Sequence, residues 1–219
     1  MFAVIFEVVP KPERGDDYLA LGKLLKPEIE KIDGFIDNER FSSQRSRGRV
    51  LSLSTWRDEK AVIRWRTVGV HHQVQEKGRL QVFQDYRLRV GEFIADSKAE
   101  GRNLLQQRFD ETEVGNAKCV TISELAPGLG EKPRSTDLAA DLGLPGAGVR
   151  GLLDHDVYES IYNPGKLLLL GSWRDAAAAA AWQPSAPRVA LRHRQVRIIR
   201  DYGMFDRREA PQYYPDVAR

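Results

Sequence analysis

The stretch STWRDEKAVIRW (Ser54–Trp65) returns later in the chain as GSWRDAAAAAAW (Gly171–Trp182). One offset, 117 residues, separates Trp56 from Trp173 and Trp65 from Trp182. Extended outward without a gap, it aligns Gly34–Trp65 with Gly151–Trp182, and 11 of the 32 pairs are identical. Ile5–Pro10 (IFEVVP) meets Ile122–Pro127 (ISELAP) at the same offset. With one residue deleted, Gln84–Tyr86 (QDY) meets Arg200–Tyr202 (RDY). A spacing that holds over this distance marks a duplicated unit.

Each unit then needs to be read only once. FAVIFEVV is apolar on both alternating faces, as expected of a strand covered on both sides. Tyr18, Leu21, Leu25, Ile29 and Ile32 recur at helical spacing, with Gly34 as the stop and Pro27 as a kink or restart. FIDNERFSS and RVLSLSTW read as two strands joined by the turn QRSRG. Asp58 is an N-cap candidate for a second helix carrying Trp65, and LQVFQDYRLRV is a closing strand. The order β-α-β-β-α-β is ferredoxin-like, with helices on one sheet face only. The chain is therefore expected to be α+β, with two such repeats whose antiparallel sheets face each other in a barrel-like core. The expected boundaries are residues 1–95, a linker 96–116, a second domain 117–205 and a tail 206–219.

The units have diverged. PGLGEKPRSTDLAADLGLPGAG stands where the first unit has its long helix, so this element is expected to be short, capped by Ser135 or Thr136. AEGRNLLQQRF in the linker suits a short helix. The tail GMFDRREAPQYYPDVAR is too aromatic to hang free and is expected to pack back on the barrel or a neighbour.

Composition narrows the class. Hydrophobic residues make up 42% and charged residues 30% of 219, enough for an unstapled core. The single cysteine, Cys119, rules out an intrachain disulfide and suits a buried first strand of the second unit. No signal peptide and no apolar run of membrane length is found, so a cytoplasmic location and no membrane partner are expected. A net charge of +3 without a clustered basic face argues against nucleic acid.

The pattern WRDEKAVIRW, then HH, GR and FQDYRLRV, closely resembles the antibiotic biosynthesis monooxygenase family of dimeric α+β barrel proteins. The positions that carry it are Trp56–Arg57–Asp58, Trp65, His71 and Asp85–Tyr86. In the second unit they are Trp173–Arg174–Asp175, Trp182 and Asp201–Tyr202. The resemblance covers Met1 to about Phe93 and Lys118 to about Arg208. It implies one of two activities. One is oxidation of aromatic polyketides to quinones by oxygen with no cofactor. The other is heme binding and breakdown through a first-strand Asn, a second-helix Trp and a His ligand. Trp65 matches the Trp, whereas the Asn position falls at Phe6 or Glu7 and the ligand position at Gln75 or Glu76. Cofactor-free oxygenation is thus the expectation, with heme binding as the alternative and a non-catalytic ligand-binding barrel as a third.

On that reading His71 or His72 is the base, since a neutral imidazole accepts protons near neutral pH. Arg64 or Arg66 would stand near the developing anion. Trp65, Phe6 and Glu7 would line a pocket for a small hydrophobic or aromatic ligand, in a monomer or homo-oligomer. His72, seven residues past Trp65, would share its face on a continuous helix. Glu7 recurs as Glu124, which favours a structural carboxylate paired with an Arg across the sheets. In the second unit Pro184, Pro187 and Arg188 replace the histidine region and no second His site is evident, so the pocket is expected in the first.

Overall fold

The computed structural model describes residues 1–99, 104–126, 138–144, 149–185 and 191–217. The first half runs β1 (Phe2–Pro10), α1 (Gly15–Ile29), β2 (Phe35–Ser43), β3 (Val50–Trp56), α2 (Glu59–Arg66) and α3 (Gly69–Lys77). One turn of π-helix, Gly78–Val82, then leads into β4 (Phe83–Asp96). The second half runs β5 (Cys119–Leu125), α4 (Leu138–Asp141), β6 (Leu152–Ser160), β7 (Leu167–Trp173), α5 (Ala176–Ala181) and β8 (Leu191–Gly203).

Each half is an antiparallel sheet, ordered β4-β1-β3-β2 and β8-β5-β7-β6. The sheets do more than face each other. β2 pairs with β6 and β4 with β8, so eight strands close one barrel. Alternation along β1 explains why both of its faces are apolar. Ala3 and Ile5 point into the barrel, beside Val120, Ile122, Leu168 and Ile198 of the other half. Phe2 and Val8 point outward, beneath the helices. Neither half covers its inner face alone, and burial at about 25 cal/mol per Å² of apolar surface drives the two together.

The repeated Trp-Arg-Asp has a structural cause in both halves. Trp56 and Trp173 are fully buried at the ends of β3 and β7. The next N–H, of Arg57 or Arg174, donates to the carbonyl of Gly34 or Gly151, each at 2.8 Å. Asp58 then caps α2 by accepting from Ala61 N at 2.8 Å, as Asp175 caps α5 from Ala178 N at 2.7 Å. Gly34 and Gly151 have φ of 92° and 86°, and a Cβ on either would come within 2.7 or 2.4 Å of Ala61 or Ala178 Cβ. One turn geometry thus fixes the glycine, the aspartate and the alanine together.

Three expectations change. The alignment of QDY with RDY is overturned by strand register. Ile5 lies opposite Arg89 and Ile122 opposite Arg194, so β8 matches β4 eleven residues earlier than RDY implies. Asp201 instead sits beside Arg89 across the β4–β8 seam. Residues 104–110 of the linker form no helix. The Glu92 carboxylate accepts the N–H groups of Gln107 (2.5 Å) and Arg108 (3.2 Å), tying that backbone to β4. Pro27 sits in the last turn of α1, two residues before its end, rather than kinking its middle. Ser135 and Thr136 lie outside the described residues; α4, just after them, is a single turn. Cys119 is buried in β5 as expected. Among the described residues no helix is long and apolar enough to cross a membrane.

Candidate active site

α2 stops one residue after Trp65. Thr67 ends it, its hydroxyl donating to the carbonyls of Ile63 and Arg64 at 3.1 and 3.0 Å. Val68 is extended, and α3 starts afresh at Gly69. The break, not helical periodicity, decides which histidine meets the tryptophan. His71 folds back so that its ring stacks on the Trp65 indole, centroids 4.0 Å apart and planes 15° from parallel. His72, expected on the Trp65 face, turns instead to the tail and stacks on Tyr214 at 5.1 Å.

His71 Nδ1 lies 2.9 Å from the Trp65 carbonyl oxygen. A carbonyl only accepts, so Nδ1 carries the proton and Nε2 keeps its lone pair. Burial lowers the His71 pKa to about 4, against the pull of that hydrogen bond and helped by nearby His72. The result is a neutral imidazole of fixed tautomer at ordinary pH. His72 Nδ1 is 2.9 Å from Tyr214 Oη, which also donates to Gln75 Oε1 at 2.8 Å.

The remaining expected residues separate. Arg64 is exposed and committed to Asp33, donating to its carbonyl at 3.1 Å. Arg66 is half-buried, and its Nε has no partner. Phe6 faces the helix side, in edge contact with Phe83 at 5.8 Å. Glu7, its neighbour on β1, faces the barrel interior, because successive strand residues point to opposite faces. It therefore cannot line a pocket with Trp65. Its carboxylate meets Arg89 at 2.6 Å and accepts from Tyr158 Oη at 2.8 Å. Arg89 lies on the adjacent strand, so only the Tyr158 bond crosses to the other half.

Arg79, on the π-turn, and Arg207, in the tail, were not singled out by the sequence, yet both donate to Tyr86 Oη at 2.7 Å. Both guanidinium groups also lie over the Tyr214 ring, at 5.4 and 5.2 Å. Arg79 reaches the tail carbonyls of Met204 and Pro215, and Gln212 donates to the Arg66 carbonyl. The tail thus packs across α3 and the π-turn, one of the two placements its aromatic content suggested. Burial raises the Tyr202 and Tyr214 phenols to about 12, keeping both protonated.

The second half does bring a histidine to its tryptophan, from a strand rather than a helix. His193 of β8 meets Trp182 edge-on at 5.4 Å and bonds Ser123 Oγ through Nδ1 at 2.9 Å. Its Nε2 is buried without a partner, and burial lowers its pKa to about 4. Pro187 and Arg188 lie outside the described residues. Two cavities, of about 230 and 340 Å³, open in the barrel mouths; Trp65, His71 and His72 line neither.

A family model described as antibiotic biosynthesis monooxygenase matches residues 1–77 and 134–194. The jasmonate monooxygenase ABM of Pyricularia oryzae is 43% identical over 224 residues, covering the whole of both chains. Among solved structures, an aldoxime dehydratase shares the fold, with a TM-score of 0.53 and 13% identity over 90% of this chain and 80% of that one. A crystal structure of an antibiotic biosynthesis monooxygenase aligns at 20% identity over 41% of this chain and 95% of that one, with a TM-score of 0.37. With the family model matching in both halves and a full-length relative at that identity, the chain belongs to the antibiotic biosynthesis monooxygenase family.

Proposed function

We propose that the chain is an oxygen-dependent monooxygenase acting on a hydrophobic small molecule on the helix side of the first sheet, beside Trp65 and His71. The full-length identity to a jasmonate monooxygenase carries the activity. The site is supported by His71, a neutral imidazole whose proton is fixed on Nδ1 by the Trp65 carbonyl.

The chemistry that suits such a site begins with an acidic C–H or O–H. His71 Nε2 takes the proton, and the resulting anion passes electrons to oxygen. At a methylene beside a carbonyl, one oxygen atom stays as a new carbonyl and the other leaves as water with both hydrogens. The protein supplies a dry wall, a base and donors for the developing anion. We assign the donor role to Arg66, because Arg64 is held by Asp33. Reduced aromatic polyphenols and ketone-bearing acids such as jasmonate both meet the requirement. The substrate supplies the electrons, so this reaction needs no resident cofactor.

Heme fits these residues less well. The face of Trp65 is taken by His71, and His72 is tied to Tyr214. The test is oxygen uptake with a reduced polyphenol and with jasmonate, under isotopically labelled oxygen. The expected result is one labelled atom in product and one in water, lost in His71→Ala. No uptake with either class by folded protein, or a sharp Soret band with hemin that vanishes in His71→Ala, would overturn the reading.

A further inference from the structure

Inside the barrel the two halves carry matching charges in matching places. Glu7 pairs with Arg89 as Glu124 pairs with Arg194, each at 2.6 Å. Arg87 pairs with Asp201 at 2.5 Å, as Arg192 pairs with Asp96 at 2.6 Å. Arg89 donates to Ser172 Oγ at 2.9 Å, and Arg194 reaches Thr55 Oγ1 at 3.5 Å.

One position breaks the correspondence. In the second mouth the Lys166 ammonium bridges Glu39 and Glu124, over the ring of Phe41. Its counterpart in the first mouth is Arg49, which approaches Asp156, the counterpart of Glu39, no closer than 3.8 Å. Tyr158 replaces Phe41, and its hydroxyl takes the place on Glu7 that the ammonium has on Glu124. Asp156 is left short of donors. Its side chain is 4% exposed, and Oδ2 accepts from Ser43 Oγ at 2.8 Å. Oδ1 has no hydrogen-bond partner, and Asp156 is among the residues lining the cavity of about 230 Å³.

Charge points the same way. The first mouth gathers five carboxylates, of Glu7, Asp85, Asp154, Asp156 and Asp201. Against them stand four guanidinium groups, of Arg45, Arg49, Arg87 and Arg89. In the second mouth Asp37, Glu39, Asp96 and Glu124 are matched by Lys26, Lys166, Arg192 and Arg194. Among the described residues no three His, Cys, Asp or Glu converge on a metal-sized site. A hard metal ion needs many oxygens at once, whereas an ammonium group donates to a few acceptors.

We propose that the first barrel mouth binds a small molecule through a protonated primary amine that donates to Asp156 Oδ1, in the manner of Lys166 in the second mouth. The site is separate from the one beside Trp65, since the wall of β1 divides them: Phe6 faces the helix side and Glu7 the barrel interior.

Titration calorimetry of the whole protein tests this, with n-butylamine hydrochloride as probe and n-butanol as its neutral counterpart. The amine is expected to bind and the alcohol not. Asp156→Asn keeps an acceptor for Ser43 and is expected to weaken amine binding at least about tenfold, the scale of a charge-assisted hydrogen bond. Arg49→Lys, which introduces the side chain found at the matching position of the other half, is expected to block binding with the fold intact by circular dichroism. No heat with n-butylamine at millimolar concentration, equal binding of n-butanol, or undiminished amine binding in both variants would overturn the proposal.

Discussion

Trp65 holds His71 twice over, through the face of its indole at 4.0 Å and through its own main-chain carbonyl at 2.9 Å from Nδ1. Both contacts depend on the helix break at Thr67–Val68, so the proposed base is set by the backbone of the residue that walls it. His71→Ala is expected to lower kcat by about 10²–10⁴, the usual contribution of a general base. His72→Ala should leave kcat within a few-fold, because that ring serves the tail. Oxygen-uptake kinetics on the two variants decide between them, and equal losses would argue against this division of labour.

The two tryptophans should respond differently. Trp65 is half-buried, whereas Trp182 is 8% exposed within a closed apolar cluster. Trp65→Ala is expected to abolish substrate turnover. Trp182→Ala should lower unfolding free energy by about 3–5 kcal/mol while sparing turnover. Urea melts beside steady-state assays separate the effects.

Stability should fall with acid in a window set by two histidines. His71 and His193 both have folded pKa values of about 4, below the unfolded value near 6.5. Between these values the unfolded chain binds more protons, so unfolding free energy rises with pH there. The contribution is complete above about pH 6.5 and is lost as pH falls toward 4. In chemical denaturation at a series of pH values, His71→Gln combined with His193→Gln should flatten this slope. An unchanged slope would show that neither ring is buried neutral.

Arg79 anchors the tail, donating to Tyr86 Oη and to the carbonyls of Met204 and Pro215. Arg79→Met removes three hydrogen bonds, each worth about 0.5–1.5 kcal/mol net. The tail should then become sensitive to trypsin at Arg207 and Arg208. Mass spectrometry of a timed digest follows the cut, which should be slow in the unchanged protein.

The barrel was legible because its cause is local and repeated. Gly34, Asp58 and Ala61 are fixed by one turn, and Gly151, Asp175 and Ala178 by its copy, so the offset survives divergence. The closing strand was not, because β8 is held by its partners on both sides, and a shared Asp-Tyr pair says nothing of register. Helical spacing pointed to His72 because no residue between Trp65 and His71 forbids a helix; Thr67 ends it through side-chain bonds that periodicity does not register. Arg79 and Arg207 were hidden for another reason. Their meeting at Tyr86 needs the tail and the π-turn together, residues more than a hundred positions apart.

Closure of the barrel within one chain changes how this protein assembles. The seams β2–β6 and β4–β8 are hydrogen-bonded, and the halves they join belong to one covalent chain, so their docking is intramolecular. Its effective concentration is set by the linker, and dilution cannot separate the halves. In a barrel built from two identical chains every substitution lands twice, once in each mouth. Here a change falls on one side only. Arg49 and Lys166, or Asp156 and Glu39, were therefore free to drift apart one residue at a time while the partner half kept the shell closed.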